Sequence, residues 1–198
     1  MLITCTSAKG GVGKTTTAIH LAAVMAENDT TLLIDGDPNR SSIKWAQRGE
    51  LPFKVVSLME SPKYTRNFQH IIFDTPARPS REDLDALAEG CDLLIVPSSP
   101  DILSIEATLE TVDLLNSMGC KHYKLMLTIV PPAPRKTGEL ARDALSDYPL
   151  LKHSIRRYAA YESASLQGCL VRDVKGDRNA RIAWSDYVRA GKEVFSNG

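Results

Sequence analysis

The run Lys9-Gly10-Gly11-Val12-Gly13-Lys14-Thr15-Thr16-Thr17 brings together glycines, two lysines and a set of hydroxyls directly behind a strand-like apolar segment. Glycines let backbone N–H groups converge on a phosphate with no side chain in the way. Lys14 can reach the outer phosphates of a nucleotide, and the Thr15 hydroxyl can hold Mg²⁺. A helical pattern begins behind the run, and its N-terminus adds a field that favours anions. Two acidic runs complete the set: Leu32-Leu33-Ile34-Asp35-Gly36-Asp37-Pro38 and Ile71-Ile72-Phe73-Asp74-Thr75-Pro76. Mg²⁺ prefers oxygen ligands and keeps several waters, so Asp74 and Asp35 are expected to hold the waters of an ion bound by Thr15. Phosphoryl transfer needs positioning and charge neutralisation more than a strong base. The residues therefore point to a nucleoside triphosphate as ligand, held through Gly10, Gly11, Val12, Gly13, Lys14, Thr15 and Thr16.

These groups can act together only if the fold delivers them to one place. Strand-like runs at 2–6, 31–35, 53–58, 70–75, 92–97, 124–130 and 150–155 alternate with helix-like runs. Several are continuously apolar, as strands buried on both faces are. The pattern predicts an α/β fold with a mostly parallel sheet of about seven strands and helices on both faces. In such a sheet, ligands bind at the carboxyl ends of the strands, and the first, second and fourth strands each end in one of the three motifs. Helices are expected after Lys14, with Ala18, Leu21, Ala22 and Met25 on one side. Further helices are expected from Ser80, which has Asp83 placed as a capping partner, over 104–117 with Ile105, Leu109, Val112 and Leu115 aligned, and over 137–145 and 179–195. Between Leu58 and His70, Pro62 leaves room for a brief helix at most.

The general phosphate-loop pattern asks for glycine where Ala8 stands, and this loop has Lys9 instead at its start. That is the deviant Walker A form of the P-loop NTPases. With Asp35-Gly36-Asp37-Pro38 behind it, the chain resembles the ParA/MinD family of ATPases, most closely a small ParA-type partition ATPase. The resemblance implies that Lys9 reaches across a homodimer interface to the partner's ATP, and that Asp37 positions the attacking water. Lys9, Lys14 and Asp37 are thus the expected catalytic set. For Asp37, a helix N-cap ahead of Pro38 stands as the structural alternative. Base recognition is read from resemblance too: Thr128 stands where the family often has an asparagine, and Pro131, Pro132 and Arg157 are candidates to surround adenine, with 154–158 as the other wall.

The family's working cycle sets the functional expectation. ATP stabilises a dimer, the dimer coats DNA without sequence preference, and a ParB-like or other cargo adaptor stimulates slow hydrolysis and release. Net charge is zero but uneven: residues 1–134 hold 12 Lys/Arg against 16 Asp/Glu, and residues 135–198 hold 12 against 8. Candidate DNA contacts are Arg135, Lys136, Lys152, Arg156, Arg157, Arg178 and Arg181, although for any single one of them a solvated surface charge is the favoured reading. A MinD-like membrane switch is the alternative; it would use 181–195 as an amphipathic anchor, although Asp186 and Glu193 interrupt the basic character. A metabolic ligase of the dethiobiotin synthetase type is a third class, and the Lys9 motif speaks against it.

Bulk properties agree with a single domain over 1–198. No stretch approaches the roughly 20 apolar residues of a membrane span, and the apolar N-terminus reads as a core strand rather than a signal. The cytoplasm, in association with the nucleoid, is the expected location. Cys5, Cys91, Cys120 and Cys169 lack C-x-x-C spacing, which gives no support to a zinc site, a redox pair or the iron–sulfur branch of this ATPase class. Longer ParA proteins carry an operator-reading helix-turn-helix domain before the first strand; none is expected here.

Overall fold

Alternate residues of β1 (Leu2–Ser7) face opposite sides of the sheet, and both sides are buried: Ile3 and Cys5 point into one core, while Thr4 and Thr6 are covered from the other side. The computed structural model describes residues 1–195; the last three residues of the expected domain lie outside the described residues. Five further strands follow: β2 (Thr31–Asp35), β3 (Lys54–Ser57), β4 (His70–Ala77), β5 (Leu93–Ser98) and β6 (Tyr123–Leu127). All pairings are parallel, in the order β3-β2-β4-β1-β5-β6.

The helices are α1 (Lys14–Met25), α2 (Ser41–Ala46), α3 (Arg81–Glu89), α4 (Ile102–Ser117), α5 (Thr137–Ala144), α6 (Ala160–Gln167) and α7 (Ala180–Phe195). One core joins α1, α6 and α7 with Trp45 of α2 to Ile3, Leu33, Ile72, Leu93 and Ile95 of the sheet. The other joins α3, α4 and α5 to Leu94 and Val96, the positions between and beyond Leu93 and Ile95 on β5, and to Leu125 and Leu127 of β6. The sheet is therefore sandwiched, as the continuous apolar runs predict. Each Leu, Ile or Val fully buried there contributes about 1.5–3 kcal/mol relative to exposure. Local signals also hold: Ser80 caps α3 in a reciprocal box with Asp83, and the segment after β3 forms two short 3-10 turns at Ser61–Lys63 and Thr65–Asn67.

Two expectations need correction. The run 150–155 is not a seventh strand. It lies beside β6 with bonds from Leu151 N–H to Leu125 and from Ile155 N–H to Leu127, but only isolated bridges form, at Leu150 and Arg156. Between them, the Lys152 and His153 N–H groups donate to the Glu193 carboxylate of α7, at 2.7 and 3.3 Å, instead of continuing a ladder. Helix α6 has no counterpart in the periodicity reading, because its exposed Leu166 and its alanines give it little amphipathic contrast.

His20 of α1 couples the helix beneath the glycine loop to α7. It is fully buried, its Nδ1 lies 2.7 Å from the Thr16 carbonyl, and its Nε2 accepts from Val171 N–H. Tyr187 stacks on it at 4.7 Å. Val171 N–H is a donor, so Nε2 is unprotonated and Nδ1 carries the hydrogen. Burial lowers the imidazole from 6.5 to about 4, with Arg172 adding to the shift and the Thr16 bond opposing it. The native state thus resists a proton that the unfolded chain accepts. Stability is complete above about pH 6.5, falls as pH drops toward about 4, and loses about 3 kcal/mol in all through this group. Urea unfolding across that range should show the slope in the parent and a weaker one in His20→Asn.

Candidate functional site

Three motifs converge at the carboxyl edge because of strand order. β4 lies between β1 and β2, with Asp74 in register with Cys5 on one side and Asp35 on the other. The chain between β1 and α1 turns through Gly11 and Gly13, at φ 82° and 80°. A side chain at either would be strained by the backbone alone; no neighbour crowds Gly11.

Lys14 begins α1 and is 7 % exposed. Its ammonium donates to Asp74 Oδ1 at 2.8 Å and to the Thr75 carbonyl, and lies 3.9 Å from Asp37 Oδ2. The other oxygen of Asp74 accepts from the Thr15 hydroxyl and from the Ser42 hydroxyl, each at 2.8 Å. Asp74 itself is fully buried. Ser42 is a member of the site that sequence spacing did not single out; no pattern in its neighbours marks it.

Asp35 is turned to a different task. Its Oδ1 accepts Asp37 N–H at 3.0 Å and its Oδ2 accepts Ile43 N–H at 2.9 Å, which folds the 36–43 loop back over the strand end. Burial, with the nearby charges of Asp74 and Asp37, raises its carboxyl above the ordinary range despite those two bonds. Asp37 accepts Asn39 N–H at 2.8 Å, a turn of the Asx type. It does not cap α2: that position is Arg40, which makes no side-chain cap bond. The Asp74 and Asp37 carboxylates and the Thr15 hydroxyl beside Lys14 are oxygen donors of the kind Mg²⁺ takes together with phosphate oxygens and waters; among the described residues no three carboxylate, imidazole or thiol side chains gather closely enough to hold a metal by themselves.

Lys9 points elsewhere. Its ammonium is 2.7 Å from Asp101 Oδ1, and both side chains are partly exposed. Asp101 also caps α4 by accepting Ser104 N–H. Burial pushes the Asp101 carboxyl up, but hydrogen bonds from Lys9, Ser99 and Ser104 outweigh it and hold the group well below the usual carboxylate range. The two residues are far apart in sequence, and nothing in the spacing announces the pair.

A cleft of about 910 Å³ opens beside the loop. Gly11, Gly13, Thr15 and Thr16 form its floor, Trp45 and Arg48 one side, and Arg157, Tyr158 and Tyr161 the other. Arg157 is exposed and lines this cleft. Pro131 is not among the residues lining this cleft; the chain leaves β6 through Ile129, which does line it and has a left-handed φ of 54°. Thr128 faces the cleft, yet its hydroxyl is within 2.7 Å of the Val12 carbonyl and 3.2 Å of that of Ser98, tying the glycine loop to the end of β5.

Among the candidate DNA contacts, Arg135, Lys136, Lys152, Arg157, Arg178 and Arg181 are exposed. Arg156 is half-exposed and ion-paired. Its Nε and one terminal nitrogen donate to the two oxygens of Asp186, at 3.0 and 2.7 Å. Asp186 is only 4 % exposed, and a buried carboxylate needs such a partner. The pair is a structural clamp between the post-β6 segment and α7.

Comparison with known proteins agrees with this geometry. The family model described as CobQ/CobB/MinD/ParA nucleotide binding domain matches residues 3–189. The chain is 35% identical over 197 residues to "Maintenance of carboxysome distribution protein A" of Gloeobacter kilaueensis, covering 94% of this chain and 90% of that protein. It is 31% identical over 149 residues to "Protein ParA" of Rhizobium radiobacter, covering 68% and 67%. Among solved structures, the MinC:MinD cell division protein complex of Aquifex aeolicus superposes with a TM-score of 0.77 at 18% identity, over 100% of this chain and 96% of that one.

Proposed function

The chain belongs to the CobQ/CobB/MinD/ParA nucleotide-binding family, and on that premise we propose that it is an ATP-dependent dimerising switch ATPase that positions a cargo on DNA. The observation that carries the reading is the division of labour between the two loop lysines. Lys14 is buried against Asp74, whereas Lys9 is partly exposed and held on Asp101, outside its own carboxylate cluster. A lysine in that position is free to exchange Asp101 for a phosphate brought by a second copy.

In this reading Lys14 neutralises charge on the phosphates of its own ATP, and Lys9 does so for the partner's. Thr15 would hold Mg²⁺, with Asp74, which its hydroxyl already touches, and Asp35 as the carboxylates that would take the ion's waters. The ion contributes charge neutralisation at the phosphates. Asp37 orients the attacking water. Residues 1–198 act as one nucleotide-binding unit. The relatedness to a carboxysome-distribution protein favours cargo positioning as the output, with an adaptor that stimulates slow hydrolysis and release. The cytoplasm and the nucleoid are the corresponding location. A membrane role finds less support. Trp184, Val188 and Phe195 are packed against the core with Tyr187, and no helix among the described residues is long and apolar enough to cross a membrane.

The test is DNA binding with ADP and with a non-hydrolysable ATP analogue, at low and high salt, alongside the oligomeric state by light scattering. The analogue should give a dimer that binds random-sequence DNA, and affinity should fall at least about tenfold as salt rises, since phosphate contacts release counterions. A chain that stays monomeric with the analogue at every concentration would refute the switch.

A further inference from the structure

Among the described residues, the non-glycine positions with left-handed φ are Arg40, Arg78 and Ile129, at 53°, 57° and 54°. All three sit in segments that leave the carboxyl ends of β2, β4 and β6, around the cleft and the carboxylate cluster. Backbone strain of this kind persists where the surroundings impose it, and it gathers at functional sites. Arg40 has a local explanation: its N–H donates to the Asp37 carbonyl and its own carbonyl accepts Lys44 N–H, so it turns the chain into α2. Ile129 has one as well: it lines the cleft where the chain leaves β6, just before Val130 bridges to Arg156.

Arg78 starts no helix; α3 is capped two residues later by Ser80. It precedes Pro79, which favours extended backbone at the residue before it. What holds it is the glycine loop. β4 bulges between Asp74 and Ala77, so that Cys5 pairs with Asp74 but Ser7 pairs with Ala77. Arg78 N–H then donates to the Ser7 carbonyl at 2.9 Å. Bulges beside active sites re-aim a side chain. Here the effect is to place an arginine against Ser7, where the loop starts.

The arginine is also chemically unoccupied. Lys9 and Lys14 are each paired with a carboxylate. Arg78 is exposed, and its side chain makes no hydrogen bond, ion pair or ring contact among the described residues. The guanidinium is thus unpaired, on a strained backbone fastened through Ser7 to the start of the loop that carries Lys9. We infer that Arg78 is a catalytic residue supplied in trans, donating N–H bonds to the terminal phosphate oxygens of the neighbouring copy's ATP.

The inference rests on the dimeric ATPase proposed above. The step itself is ordinary hydrolysis: a water oxygen bonds to the terminal phosphorus, the bond to the bridging oxygen breaks, and the water proton ends on the released phosphate. Arg78 exchanges no proton; its fork spreads over the charge of the transferring group.

Arg78→Gly is the decisive variant, because glycine adopts this φ without strain. Its melting temperature should be unchanged or raised, and it should still dimerise with ATP. Steady-state ATP turnover should nevertheless fall at least about tenfold, in kcat rather than KM. Arg78→Lys should recover only part of the loss, since an ammonium lacks the fork. Mixing Arg78→Gly with Asp37→Ala should restore turnover, because one heterodimer site then combines Asp37 of one copy with Arg78 of the other. Turnover of Arg78→Gly within twofold of the parent, or no restoration on mixing, overturns the inference while leaving the dimeric ATPase standing. Failure of the unsubstituted chain to dimerise or to hydrolyse ATP overturns both.

Discussion

Replacing Lys14 with alanine is expected to abolish nucleotide binding, measured as the loss of anisotropy change in a titration with a fluorescent ATP analogue. A triphosphate brings several negative charges to a site already lined by Asp35, Asp37 and Asp74. Lys14 is the buried cation among them, 2.8 Å from Asp74 and 3.9 Å from Asp37. Without it the phosphates meet uncompensated carboxylates at short range, where Coulomb repulsion is weakly screened. The same change reaches the free protein. Asp74 is fully buried and would keep only the Thr15 and Ser42 hydroxyls; removing one partner of a buried pair costs about 3 kcal/mol or more. Urea unfolding of the nucleotide-free variant should register that loss. Lys14→Gln separates the two effects, because its amide can still donate to Asp74 while carrying no charge. It should unfold closer to the parent and still fail to bind. ATP binding by Lys14→Gln within tenfold of the parent would remove Lys14 from the phosphate site.

Asp37→Ala is expected to do the opposite: bind ATP, remain dimeric and stop turning it over. The Asp37 carboxylate touches little that the fold needs. It accepts one hydrogen bond, from Asn39 N–H, in a partly exposed turn, so the structural cost is about 1 kcal/mol. Its distance from the Lys14 ammonium places it beside the cation that would meet the phosphates. A group that orients water there contributes to the transition state and not to ground-state affinity, so its loss appears in kcat. A fall of at least about a hundredfold is expected by the usual scale of such positioning. Light scattering with ATP should then show a long-lived dimer where the parent shows a transient one. Hydrolysis by Asp37→Ala near the parent rate would assign the water to another group, and Asp37 would be left as a turn residue.

Arg156 and Lys9 show why single charges resist assignment from sequence. Both read as free cations in a basic or phosphate-facing context. Arg156 is bound to Asp186, thirty residues on, because that carboxylate is enclosed by α7 and needs a counter-charge. Lys9 is bound to Asp101 because β5 lies beside β1 and delivers the cap of α4 to the loop. In each case the partner's identity depends on which strands are neighbours, and no spacing rule carries that information. The missing seventh strand has a similar origin. The run at 150–155 reads as a strand through Leu150, Leu151 and Ile155, but Glu193 of α7 draws the Lys152 and His153 N–H groups away.

What the sequence determined by itself was the chemistry written in contiguous residues. The turns at Gly11 and Gly13, the reach of Lys14, the acidic strand ends at Asp35, Asp37 and Asp74, the Ser80 capping box and the two-sided burial of the strands all follow from local backbone freedom, side-chain type and periodicity. What only the tertiary structure decided was which of these groups touch. It put Ser42 on Asp74, turned Asp35 to the 36–43 loop, held Lys9 on Asp101, paired Arg156 with Asp186 and set Arg78 against Ser7. Those outcomes depend on strand order, register and a single bulge, and such features arise from packing of the whole chain, so no short window of sequence contains them.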